Sequence, residues 1–270
     1  VFDFRFSLSA EFFTRPYSFW AGVIGGCFLT TASHGTEQLM VQRLLAARSQ
    51  GESRAALFGS WIVIFFQFGL FLLIGVILFV YYGDAGLAPP RPADRIYPSF
   101  VWNNLPPGVA GLVIAAILAA AMSNLSAALN SLASTTIMDF YRPMSEKRGF
   151  SRNESHYLKL ARYATILWGV VLFAVGLVAR HWGSVLEAGL SIASILYGSL
   201  LGVFLLGRLS RRAVEAGAMA GMLAGLAVTL YVKFFTPIAW TWYVLIGSTV
   251  TFAVGWLESV AAGPAEASNE

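Results

Sequence analysis

The sequence predicts an all-α protein that crosses a membrane several times. Three observations carry that expectation. Hydrophobic residues make up 57% of the 270 and charged residues only 12%, against about 25% charged in soluble domains. Long stretches carry no charge at all, among them residues 55–82 and 96–138, each enough for a hydrocarbon core about 30 Å thick. The basic residues collect at the ends of such stretches rather than inside them. The net charge of +4 therefore calls for no nucleic-acid partner, and the partner implied by composition is the lipid bilayer. The single Cys27 leaves no disulfide framework within the chain. His34, His156 and His181 do not have the spacing of a metal site.

Taken in order, residues 1–16 read as an extracellular loop already under way at Val1, and the chain reads as the later part of a longer one. Residues 12–20 mix aromatics with Arg15 and Pro16, as at headgroup level. A short apolar helix follows to about Thr30, then a small, polar run over residues 30–36, then a second helical stretch over residues 37–47. This describes one interrupted transmembrane helix over residues 17–47. A bare backbone at membrane depth is tolerated only against protein, substrate or a water-filled cavity, and in transporters such breaks mark binding sites. A kinked helix with an interfacial polar end fits the same residues.

Residues 55–82 form a span whose only strongly polar side chain is Gln67, directed to a cavity or to another helix rather than to lipid. Residues 83–107 read as a loop rich in Pro and Gly. A helix over residues 107–140 comes next, a basic loop over 142–156, and spans over 157–179 and 182–207. The last of these carries Glu187, with Ser191 on the same face. An ionisable group inside a span is costly and marks function, although Glu187 is also placed to meet interfacial water and the positive end of its helix. Residues 213–257 hold two further helices. The first has Gly217, Gly221 and Gly225 at four-residue spacing, which reads as a close packing seam. An acidic, disordered tail is expected over residues 258–270.

The helix over residues 107–140 is the most informative. At about 100° per residue, Ser123, Asn124, Ser126, Asn130, Ser131, Ser134 and Thr135 fall on one half of the wheel, and Leu125, Ala128, Leu129 and Leu132 on the other. Ala120, Ser123 and Asn124 stand at i, i+3 and i+4, so a carbonyl and two side-chain oxygens can converge on one point. Uncharged oxygens suit a monovalent cation that must bind and leave. The same residues also suit interhelical hydrogen bonding.

Ala-Ala-Ala-Met-Ser-Asn-Leu-Ser-Ala-Ala-Leu-Asn-Ser over residues 119–131, running on to Thr-Ile-Met-Asp-Phe-Tyr-Arg at Arg142, resembles the signature helix of the sodium/solute symporter family. Gly-Thr-Glu-Gln-Leu-Met-Val-Gln-Arg-Leu-Leu-Ala-Ala-Arg-Ser over residues 35–49 resembles a second motif of that family, in the right order. The resemblance implies two inverted five-helix repeats of the bacterial leucine transporter type. Residues 17–212 would be the second repeat, residues 213–257 two appended helices, and the N-terminal repeat of the same transporter a missing partner.

The resemblance further implies half of a sodium site at Ala120, Ser123 and Asn124. Asn124 departs from the Ser or Thr of the family pattern, which puts strict sodium dependence in question and admits a proton instead. It implies a small-molecule solute at the break of the interrupted helix, near Thr30, Ser33 and Glu37, with Gln67 facing the same region. The mechanism implied is sodium-coupled symport of a small organic solute by alternating access, across the cell (inner) membrane, with no catalytic residue and no organic cofactor.

Orientation follows from charge. With Val1 outside, the inner ends and loops hold Arg43, Arg48, Arg54, Arg142, Lys147, Arg148, Arg152, Lys159, Arg162, Arg208, Arg211 and Arg212. Outside remain Arg5, Arg15, Arg91, Arg95, Arg180 and Lys233, so the count obeys the positive-inside rule. Other classes fare less well. An intramembrane enzyme needs paired carboxylates or a nucleophile with its base, but Glu37 and Glu187 lie on different helices. A symporter-like sensor and a transport-incompetent fragment are the remaining readings.

Overall fold

The computed structural model describes residues 10–150, 152–179 and 184–261. Among them the regular structure is helical throughout. The chain divides into two compact units, Val1–Leu73 with Leu186–Glu270, and Ile74–Val185.

The first unit is built around α9 (Val185–Leu209), α10 (Glu215–Phe235) and α11 (Tyr243–Ala261). Glycine decides how closely they pack. A Cβ at Gly217 would lie 2.7 Å from the Gly255 carbonyl, one at Gly221 2.9 Å from the Gly255 nitrogen, and one at Gly225 2.8 Å from the Gly247 carbonyl. The expected seam on α10 therefore meets the backbone of α11. Gly198 of α9 reaches the same residue of α11, so close that its Cβ would stand 3.0 Å from the Gly247 Cα. Ser259 joins α10 to α11: its hydroxyl accepts from the Val214 N–H at 3.2 Å and donates to the Gly255 carbonyl at 2.6 Å.

The start of the chain packs onto this bundle. After α1 (Ala10–Thr14), a π turn at Ala21–Gly25 leads without interruption into α2 (Gly26–Gly35). Ala21, fully buried, packs with Phe12, Ala239 and Trp242, and Ala32 packs with Leu201 and Val244. The polar run expected to break the helix over residues 30–36 is instead helical as far as Gly35. Only Thr36 and Glu37 leave it before α3 (Gln38–Leu45). The reason is local. The Ser33 hydroxyl donates to the Thr30 carbonyl at 3.1 Å and the Thr36 hydroxyl to the Ala32 carbonyl at 2.7 Å, so these side chains bond back onto their own helix.

α4 (Gln50–Asp84) is longer than the uncharged run over residues 55–82. A capping arrangement extends its start: the Glu52 N–H donates to Ser49 Oγ at 3.2 Å, and the Glu52 carboxylate accepts from the Arg48 N–H at 3.0 Å. Its end is closed by Gly86 at φ 63°, which lets the Leu87 N–H reach back to the Tyr82 carbonyl at 3.0 Å.

The second unit holds the last turns of α4, then α5 (Ile96–Asn104), α6 (Pro107–Ser134), a π turn at Thr135–Tyr141, α7 (Arg142–Lys147) and α8 (Glu154–Ala179). Residues 83–107 were expected to be a loop, and α5 corrects this. Its aromatic side chains provide the anchorage, with Phe100 packed edge-on to Tyr81 at 5.1 Å and the Tyr81 hydroxyl donating to Asn104 Oδ1 at 2.6 Å. Helical backbone runs unbroken from α6 through the π turn to Lys147, well past the expected end at residue 140. α8 lies against the apolar face of this run, where Ala133 and Ile137 meet Tyr157 and Ala164, and Trp168 donates to the Thr136 hydroxyl at 3.0 Å.

Among the described residues six helices are long and apolar enough to cross a membrane, and this is a multi-pass membrane protein. The expectation of seven spanning units counts the interrupted helix as one, and neither α2 nor α3 is long enough alone. The expected start of the 182–207 span at residue 182, the first nine residues of the loop expected over residues 1–16 and the tail from residue 262 lie outside the described residues, while residues 10–14 of that loop are helical as α1. The tail expected from residue 258 begins later, because α11 continues to Ala261.

Candidate functional site

In the second unit, the polar face expected on α6 is present as a continuous strip. Ser123, Asn124, Ser126, Asn130, Ser131 and Ser134 are all exposed, and α8 packs further along the helix, at Ala133 and Ile137. Nothing in the apolar window of the helix from Pro107 is buried, whereas 39% of the corresponding window of α9 is. Ala120, Ser123 and Asn124 follow one another on this bare face. Asn124 Nδ2 donates to the Ala120 carbonyl at 3.2 Å. A partly positive N–H thus meets the carbonyl oxygen that a cation would need. The oxygens fit a hard monovalent ion in type, but Asn124 must turn its amide to present Oδ1 before all three can serve together.

In the first unit, the polar groups gather where α2 ends. The His34 ring holds its Nδ1 within 2.9 Å of Ser33 Oγ and 3.1 Å of the Thr30 carbonyl. Glu37, at the two-residue interruption, accepts a hydrogen bond from the Tyr197 hydroxyl of α9 at 3.2 Å. Ten residues earlier on α9, Glu187 accepts from the Tyr17 hydroxyl at 2.5 Å. α9 therefore holds the interrupted helix at both its beginning and its break. One turn beyond Glu187, Ser191 is 98% buried and its hydroxyl has no partner among the described residues.

The structure brings Thr30 and Ser33 together, turns Glu37 toward α9, and leaves Gln67 exposed on α4 with no hydrogen bond among the described residues. Beside Thr30 there is an open cavity of about 640 Å³ lined also by Thr31, His34, Arg54, Phe58 and Trp61. Sequence reasoning passed over His34 and Arg54. The signal was present in the i, i+4 spacing of Thr30 and His34, and in Arg54, Phe58 and Trp61 at i, i+4 and i+7 on α4.

A model of the sodium:solute symporter family matches residues 8–225. The chain belongs to that family. Among its relatives, the sodium-coupled monocarboxylate transporter 1 of Mus musculus is 30% identical over 227 residues, which cover 81% of this chain and 36% of the mouse protein. The sodium/sialic acid symporter of Aliivibrio fischeri is 29% identical over 239 residues, covering 87% of this chain and 46% of that protein. A solved structure of a Na+-coupled sialic acid symporter, in a substrate-bound outward-open state, matches with a TM-score of 0.77 at 28% identity, over 98% of this chain and 54% of that one. The fold is thus that of a sodium symporter, and the relatives are transporters rather than enzymes. The chain spans less than half the length of these two curated relatives.

Proposed function

We propose that this chain is the second-repeat portion of a secondary transporter that couples sodium entry to the uptake of a small organic acid by alternating access. The observation that carries the reading is the backbone likeness to a Na+-coupled sialic acid symporter along 98% of the chain. Two of the relatives are named for carboxylic acids, which favours an acid as the solute. In this reading Ala120, Ser123 and Asn124 form one half of a sodium site on α6. Glu37 at the interruption, with Thr30 and Ser33 on the last turns of α2 before it, holds the solute. The other half of each site comes from a first repeat of the same transporter, which would also cover the bare polar strip of α6. The membrane is the cell (inner) membrane. Each sodium ion that enters gains about 2.3 kcal/mol per 100 mV of membrane potential.

The test is uptake of labelled monocarboxylates and sialic acid by the full-length transporter in proteoliposomes, with NaCl, KCl or choline chloride outside. Uptake only in sodium supports the reading. Equal uptake in all three salts, or none, removes it. The 270 residues alone are expected to bind without transporting, since each site is then half built, and sodium-driven uptake by the isolated chain would overturn that expectation.

A further inference from the structure

We propose that the cavity beside α2 and the first turns of α4 is a binding site for the carboxylate of an amphiphilic organic anion, with Arg54 as its charged contact. The inference rests on the solute-transport reading and assigns a recognition chemistry to residues outside the interruption itself. The cavity, about 640 Å³, has the size of small-molecule sites. Its lining divides into two parts. Arg54, Thr30 and Thr31 supply donors, while Phe58 and Trp61 supply an apolar wall, their rings stacked 5.8 Å apart.

Arg54 has no ion pair among the described residues. The acids near it in the chain are engaged elsewhere, Glu52 with the Arg48 N–H and Glu37 with the Tyr197 hydroxyl. A guanidinium without a partner, opening on a cavity, offers its planar fork to a carboxylate. The His34 Nδ1–H is turned to the Thr30 carbonyl of its own helix, which leaves Arg54 and the threonine hydroxyls to meet the anion. The opposite face of α2 is taken up in packing through Ala32, so the face bearing Thr30 and His34 is not needed to hold the bundle together. A bound anion would place its carboxylate against Arg54 and its carbon body against Phe58 and Trp61.

The experiment is calorimetric titration of the full-length transporter in sodium-free choline chloride, in nanodiscs of phosphatidylcholine alone, with benzoate and with its neutral counterpart benzamide. Benzoate is expected to saturate one site, and benzamide to bind at least tenfold more weakly. Arg54→Gln is expected to weaken benzoate at least tenfold, Arg54→Lys less, and Phe58→Ala to weaken both compounds, with circular dichroism unchanged in each. No benzoate binding by the wild type, equal binding of the two compounds, or wild-type affinity in Arg54→Gln would overturn the proposal. Benzoate displaced by adding phosphatidylglycerol to the nanodisc would assign Arg54 to lipid headgroups and also overturn it.

Failure of the site and failure of the symport reading are distinguishable. Sodium-driven acid uptake by the full-length transporter that ignores Arg54→Gln would leave symport standing and remove the site. Arg54-dependent benzoate binding without sodium-driven uptake would do the reverse.

Discussion

Asn124→Ser should raise the apparent affinity for sodium. In the structure Asn124 Nδ2 donates to the Ala120 carbonyl at 3.2 Å, so one ligand oxygen is already engaged and the amide is turned with its nitrogen toward the site. A cation that takes Ala120 O, Ser123 Oγ and Asn124 Oδ1 must first displace this bond. An intramolecular hydrogen bond of this kind is worth about 0.5–1.5 kcal/mol net, which converts to roughly a 2- to 12-fold loss of affinity. Serine removes the competing amide donor and keeps an oxygen. Its hydroxyl can donate back to its own helix and still offer a lone pair to the ion. The assay is thermal unfolding of the full-length transporter across a NaCl titration, with KCl and choline chloride as controls. The sodium midpoint should fall by a factor within that range in Asn124→Ser, and Ser123→Ala should abolish the sodium response. An unchanged or higher midpoint in Asn124→Ser would refute the argument that the amide competes with the ion.

Three further outcomes follow from the packing and the hydrogen bonds. Gly221→Leu adds a side chain where even a Cβ would lie 2.9 Å from the Gly255 nitrogen; α10 and α11 must separate, at a cost of about 1–3 kcal/mol or more, read as a lower melting temperature, and wild-type melting would show the seam to be looser than described. Tyr197→Phe removes the 3.2 Å hydrogen bond to Glu37 and should loosen the interruption by about 1 kcal/mol, seen as faster amide exchange at residues 36–41; unchanged exchange would mean the contact does not hold the break. Ser191→Ala deletes a buried hydroxyl that has no partner among the described residues and should be neutral or slightly stabilising in a melt, whereas a loss of more than about 1 kcal/mol would reveal a partner that the hydroxyl serves.

The two halves of the molecule differed in how much could be read ahead. The α10 seam was visible because Gly217, Gly221 and Gly225 recur at helical spacing, and nothing but close approach explains three glycines on one face. The break was misplaced because Thr30, Ser33 and Thr36 have low helix propensity, yet the Ser33 and Thr36 hydroxyls bond back to carbonyls one turn earlier and the chain stays helical to Gly35. α5 was missed because the Pro and Gly around residues 83–107 outweighed an aromatic pattern whose partner, Tyr81, lies on the preceding helix.

What the amino-acid order determined by itself was local and periodic: the uncharged runs, the polar strip on α6, the glycine seam and the sign of the charge at each helix end. Each is written in neighbours three, four or seven residues apart, which a helix brings together wherever it forms. What only the tertiary structure decided was who meets whom across the chain: Tyr17 with Glu187, Tyr197 with Glu37, and Arg54 opening on the same cavity as Thr30 and His34. These partners are 20 to 170 residues apart. No period links them, and packing alone sets which pairs touch.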